Sequence, residues 1–150
     1  MVDDIIHAIE QAPDAPVVLG IESDGGDPIA AFRLYDALRR HPPPVTTRTA
    51  AHCHSAAVIV FMAGDARLAS RGARFLLHGV ERQPRERPTA AALWAEAASL
   101  DGLDRQIADL ICIRAGRYPL WRLRLDMRNE TMLGADDAYR RGIITWITDC

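Results

Sequence analysis

Hydrophobic positions along this chain alternate between short β-branched runs and stretches that recur every three or four residues. Ile5, Ile6 and Ile9 mark one face of a first helix over Val2–Ala12, which the prolines at 13 and 16 close. Val17–Ile21 reads as a strand, and Asp24-Gly25-Gly26-Asp27-Pro28 as the turn that ends it. Ile29, Phe32, Leu34, Tyr35 and Leu38 return to helical spacing, from Pro28 at the first turn to the stop at Pro42-Pro43-Pro44. A second strand is predicted over Val45–Ala51, and His52-Cys53-His54-Ser55 opens an apolar helix, Ala56–Ala63. Ala66–Ser70 and Ala73–Leu77 read as two further strands.

Beyond His78 the pattern changes. Glu81–Pro88 is charged, bracketed by proline and free of large apolar groups, as expected of a solvated loop or an edge strand. Thr89 then caps a long helix reaching about Ala115, with Gly116 behind it and a stripe of Leu93, Leu100, Leu103, Ile107, Leu110 and Ile111. Arg122–Arg128 is strongly basic, with Leu123 and Leu125 alternating; Asp136–Arg141 reads as a short helix and Ile143–Ile147 as a last strand. Strands alternating with helices argue for an α/β fold on a mostly parallel sheet. One domain over 1–150 is expected, without internal repeats.

Three stretches carry candidate chemistry. A strand that ends in Gly25-Gly26 and feeds a helix exposes backbone N–H groups where negative charge is favoured. Ser55 sits at a strand-to-helix turn, so its hydroxyl is held out of the sheet beside the Ala56 N–H, a donor for a developing oxyanion. His78 closes the strand after Phe75-Leu76-Leu77, where a base is needed. Taken singly, each has a plainer reading: a helix cap, a core or edge histidine, a tight turn. His52, Cys53, His54 and His78 invite a metal reading, but no carboxylate or second cysteine is spaced to complete the shell, so no metal is expected. Trp94, Trp121 and Trp146 read as core or subunit contacts.

Composition narrows the classes. A formal net charge of −2, with acidic and basic residues mixed, gives no footprint for nucleic acid. Three cysteines, Cys53, Cys112 and Cys150, are odd in number and suit reduced thiols and a cytoplasmic setting. The first residues lack the pattern of a signal peptide, and the apolar run Ala56–Ala63 is far too short to span a bilayer.

The order IESDGG, LYD, a serine on a strand-to-helix turn, and FLLH resembles the Clp protease proteolytic subunit within the ClpP/crotonase superfamily, from about Val17 to the C-terminus. The resemblance implies a ClpP/crotonase-like ββα superhelix with a mostly parallel sheet and a protruding handle helix, the handle segment being about 79–116. It implies a serine peptidase with Ser55 as nucleophile, His78 as base, and the Gly26 and Ala56 amides as oxyanion donors. The tail ETMLGADDAYRRGIITWI aligns Ala135, Ala138 and Gly142 with the family's closing pattern and puts Glu130 where its catalytic Asp stands; Asp126, one helical turn earlier, is the alternative acid. No cofactor is implied. The implied partners are a peptide or protein substrate, further copies in a homo-oligomer and an AAA+ unfoldase, with no membrane or nucleic-acid partner.

The chain also departs from that pattern. Cys53-His54 precedes the serine and Ala56-Ala57 follows it, where the family has Ala-Ala and Met-Gly, and the family's front strand is missing before Met1. Asp65-Ala66-Arg67-Leu68-Ala69-Ser70 also resembles a stretch of the crotonase branch, which implies an acyl-CoA enzyme as one rival reading. A catalytically inactive assembly subunit is the other.

Overall fold

The computed structural model describes residues 1–82 and 87–149. Gln83–Glu86, the middle of the charged stretch expected to be a loop or an edge strand, and Cys150 lie outside the described residues. The elements run α1 (Val2–Gln11), β1 (Val17–Gly20), α2 (Pro28–Arg40), β2 (Val45–Thr49), β3 (His52–His54), α3 (Ala56–Phe61), β4 (Ala66–Ser70) and β5 (Arg74–Leu77), followed by α4 (Ala90–Ala115), α5 (Leu120–Arg128), β6 (Thr131–Gly134), α6 (Ala135–Arg141) and β7 (Trp146–Thr148).

The strands form two sheets. One, ordered β1-β2-β4-β7, is parallel throughout; the other, β3-β5-β6, pairs β3 with β5 in parallel and β5 with β6 antiparallel. Successive passes of the chain feed a strand to the first sheet, bend, and feed one to the second, as β2 and β3 do, and then β4 and β5. The strand expected over Val45–Ala51 ends at Thr49, and a separate short strand, β3, forms beyond it at His52–His54. Glu22 makes the bend: its carboxylate accepts from the backbone N–H groups of Ala50, Ala51 and His52, which would otherwise be left bare where the ladder breaks. Burial opposes its charge, but these three N–H donors hold the Glu22 carboxyl below its usual range.

Between the sheets and helices lies α3, with all of Ala56–Phe61 buried. Phe61 meets Phe75 edge-on at 5.2 Å between ring centres. Arg67 is buried beneath this layer, donating to the carbonyls of Gly64, Gly142 and Ile143, and to that of Arg114. Asp65 accepts from Val45 N–H and pairs with Arg39. The stretch that resembles the crotonase branch thus ties β4 to the ends of β2, α4 and α6.

In the second half one stretch gains an element and one expectation is corrected. The basic stretch Arg122–Arg128 is helical, part of α5, with Leu123, Asp126 and Met127 buried; the inward stripe includes a carboxylate, which hides the helical period. The last strand starts three residues later than expected, because Ile143 and Ile144 are core residues whose N–H groups return to Ala138 O behind α6.

Helix α4, about 39 Å long at 1.5 Å per residue, carries its buried residues only from Ile107 onward. Its first half leaves Leu93 48 % and Trp94 78 % exposed. Trp121 and Trp146 are also exposed, so none of the three tryptophans belongs to the core. Among the described residues no helix is long and apolar enough to cross a membrane.

Candidate active site

Ser55 joins β3 to α3 at φ 54° and ψ −129°, a backbone conformation that a residue with a Cβ reaches only under strain. The turn is fixed from both sides, by Ser55 N–H donating to Leu76 O at 2.9 Å and Ser55 O accepting from Val58 N–H at 3.0 Å. The fully buried α3 supplies the anchor that sustains it. At the first position of α3, the Ala56 N–H has no carbonyl one turn back to bond.

The glycine turn packs directly against this serine. At Gly25, φ is +110°, and a Cβ there would stand 2.6 Å from Ser55 Cβ and 3.0 Å from His54 O. Only glycine fits. Gly26, at φ +144°, faces open space, and its N–H makes no hydrogen bond among the described residues. A bridge between Ser23 and Cys53 aligns this turn with the serine strand.

Ser55, Ala56, Gly26 and His78 line one cavity of about 110 Å³, whose apolar wall includes Ile107, Ile111 and Met127. His78 Nδ1 lies 2.6 Å from the carbonyl oxygen of Gly79, and 4.0 Å from Glu81 Oε1. A carbonyl only accepts, so Nδ1 carries the proton and Nε2 is left with a free lone pair.

The two acids expected to orient His78 are elsewhere. Glu130 is exposed at φ 50° between α5 and β6, absent from the cavity wall, and its carboxylate has no hydrogen bond or ion pair among the described residues. Asp126 is 2 % exposed and already engaged, accepting from Tyr118 Oη at 2.7 Å and Arg122 Nε at 3.1 Å, with Arg141 Nε at 3.7 Å. Burial raises its proton affinity, but those donors offset this and hold the carboxyl below its usual range. Asp126 thus secures α5 to Tyr118 and α6. Sequence reasoning missed the Gly79 carbonyl because a backbone acceptor leaves no residue-type signal.

Beside the serine, Asp24 Oδ1 lies 3.5 Å from His52 Nε2 and 3.4 Å from His54 Nδ1. No cluster of three or more His, Cys, Asp or Glu could hold a metal ion among the described residues. Cys53 is fully buried and, with Cys112, a free thiol. Burial, and then the charge of Glu22, push the Cys53 thiol far above its usual range, so it is not a rival nucleophile.

The two mostly parallel sheets fed by successive ββα passes define a ClpP/crotonase-type fold. A family model described as Clp protease matches residues 1–149, and the chain belongs to the Clp protease family. Among curated proteins it is 28 % identical over 142 residues to a putative ATP-dependent Clp protease proteolytic subunit-like protein of Streptomyces coelicolor, covering 93 % of this chain and 67 % of that one. It is also 28 % identical to the ATP-dependent Clp protease proteolytic subunit 1 of Corynebacterium efficiens, covering 91 % and 66 %. The chain thus spans about two thirds of the length of these relatives. An Asn-to-Asp mutant of ClpP1 from Listeria monocytogenes superposes with a TM-score of 0.84 at 19 % identity, over 99 % of this chain and 84 % of that one.

Proposed function

We propose that this chain is a serine peptidase in which Ser55 attacks the scissile carbonyl and His78 acts as base. His78 Nε2 takes the Ser55 proton and returns it to the leaving amine, giving an acyl-enzyme that water then hydrolyses. The Gly26 and Ala56 amides receive the oxyanion. The observation that carries this reading is the strained Ser55 turn on one cavity wall with His78 and the unbonded Gly26 N–H. The Gly79 carbonyl, rather than Glu130 or Asp126, fixes the His78 tautomer, so the working unit is a dyad.

By analogy with its relatives, the substrate is an extended peptide or protein, handled in the cytoplasm by a homo-oligomer that an AAA+ unfoldase supplies. The exposed Leu93, Trp94 and Trp121 support subunit contacts along α4 and α5. Hydrolysis of an unfolded casein or a fluorogenic peptide ending in leucine tests the reading. Wild type is expected to cleave, with Ser55→Ala and His78→Ala both silent; equal residual cleavage in all three preparations would identify a contaminant and end the proposal.

A further inference from the structure

A second cavity of about 150 Å³ adjoins the first, sharing Gly79 and Met127 with it, and is lined otherwise by Asp101, Asp104, Arg105, Arg124 and Arg128. Its charges are not matched. Asp104 accepts from Val80 N–H at 2.7 Å, and so holds the Gly79-Val80 segment against α4 while keeping its charge. Asp101 pairs with Arg105 at 2.6 Å. Arg124 reaches only Asp109, outside this cavity wall, at 3.9 Å, and Arg128 has no ion pair among the described residues. Three guanidinium groups thus meet two carboxylates on this wall, and Arg128, without an ion pair among the described residues, is left to face a ligand beside the cavity that holds Ser55, with Arg124 next to it.

Resting on the peptidase reading, we infer that this cavity is a substrate subsite selecting an acidic side chain close to the residue held between Ile107, Ile111 and Met127. The shared walls at Gly79 and Met127 place the two side-chain pockets next to each other, within reach of neighbouring residues of an extended peptide. Guanidinium groups suit carboxylates because they donate in a planar fork. The site is open to water, so the expected selectivity is modest and salt-dependent.

The test uses alanine-based heptapeptides with one leucine, in which Asp, Asn or Lys is scanned through the two positions on either side. Wild type is expected to prefer the Asp peptide over its Asn counterpart at one position by about twofold to fivefold in kcat/KM. The preference should shrink at 0.5 M NaCl as exposed charges are screened. Arg128→Gln should weaken it, and Arg124→Gln/Arg128→Gln should abolish it while leaving cleavage of the Asn peptide within about twofold. No acidic preference, or one that survives in the double variant, would overturn the inference. So would a change in sedimentation of the double variant with the preference intact, since the arginines would then serve contacts between copies. Should wild type cleave no peptide, the peptidase reading fails by itself. Binding of the same peptides, carrying a neutral fluorophore, to Ser55→Ala then decides the subsite: tighter binding of the Asp peptide that the arginine variants lose supports it, and equal binding of all three peptides overturns it.

Discussion

The serine side and the histidine side of the cavity are built differently. Ser55 is held by a buried helix, by a glycine that admits no Cβ, and by hydrogen bonds to Leu76 O of β5 and from Val58 N–H of α3. His78 directly follows β5 and leads into the Gly79-Val80 segment, which Asp104 of α4 holds through the Val80 N–H. Its orienting partner is the carbonyl of the very next residue. The Ser55 turn is thus fixed by the core, and the His78 ring by local chain geometry. Strain is stored where packing can sustain it.

That contrast can be broken at either end. The largest effect belongs to Ser55→Ala and His78→Ala, each expected to lower kcat by at least about 10³-fold, because members of such a unit fail together; steady-state hydrolysis measures it. Next, Gly25→Ala must push a methyl into Ser55 Cβ at a positive φ, and a loss of about 10²-fold or more is expected from a displaced oxyanion donor, together with a lower Tm by calorimetry. Arg67→Leu leaves several buried carbonyls unpaired and should destabilise the fold by about 3 kcal/mol in urea titration, with the His78 side no more affected than the Ser55 side. Glu130→Gln should change kcat less than about tenfold; a loss near 10⁴-fold, as for removal of a true triad acid, would restore Glu130 to that role.

The smallest expected effect concerns pH. The Glu22 carboxyl is held below its usual range in the folded state, so its contribution is present above the unfolded value of about 4.3 and is lost as pH falls through the folded value. Glu22→Gln should therefore flatten the acid limb of the stability curve below about pH 5. A Tm that falls between pH 5 and 3 as steeply in the variant as in wild type would remove Glu22 from the bend.

What could be read from the sequence follows the same division. The serine side was legible because its signals are local: glycines before Pro28, an apolar run behind Ser55, β-branched strands. What was missed depends on distant contacts. The break between β2 and β3 is made by Glu22, roughly thirty positions earlier in the chain. The helix α5 hides its period because Asp126 occupies an inward position, stabilised by Tyr118 and Arg122. Glu130 was placed by alignment of Ala135, Ala138 and Gly142, yet alignment fixes a position along the chain and not the direction of a side chain. Of the two readings of the tryptophans, core or subunit contact, exposure removes the first, which residue type alone does not decide.

The most direct measurement is the intact mass of the protein after treatment with a fluorophosphonate, with the adduct mapped by peptide digestion. One adduct on Ser55, absent in Ser55→Ala and formed at a similar rate in Glu130→Gln, is the predicted result. A folded wild-type protein that takes up no label at high reagent, or an adduct that persists in Ser55→Ala, would contradict the dyad and return Ser55 to the role of a helix cap.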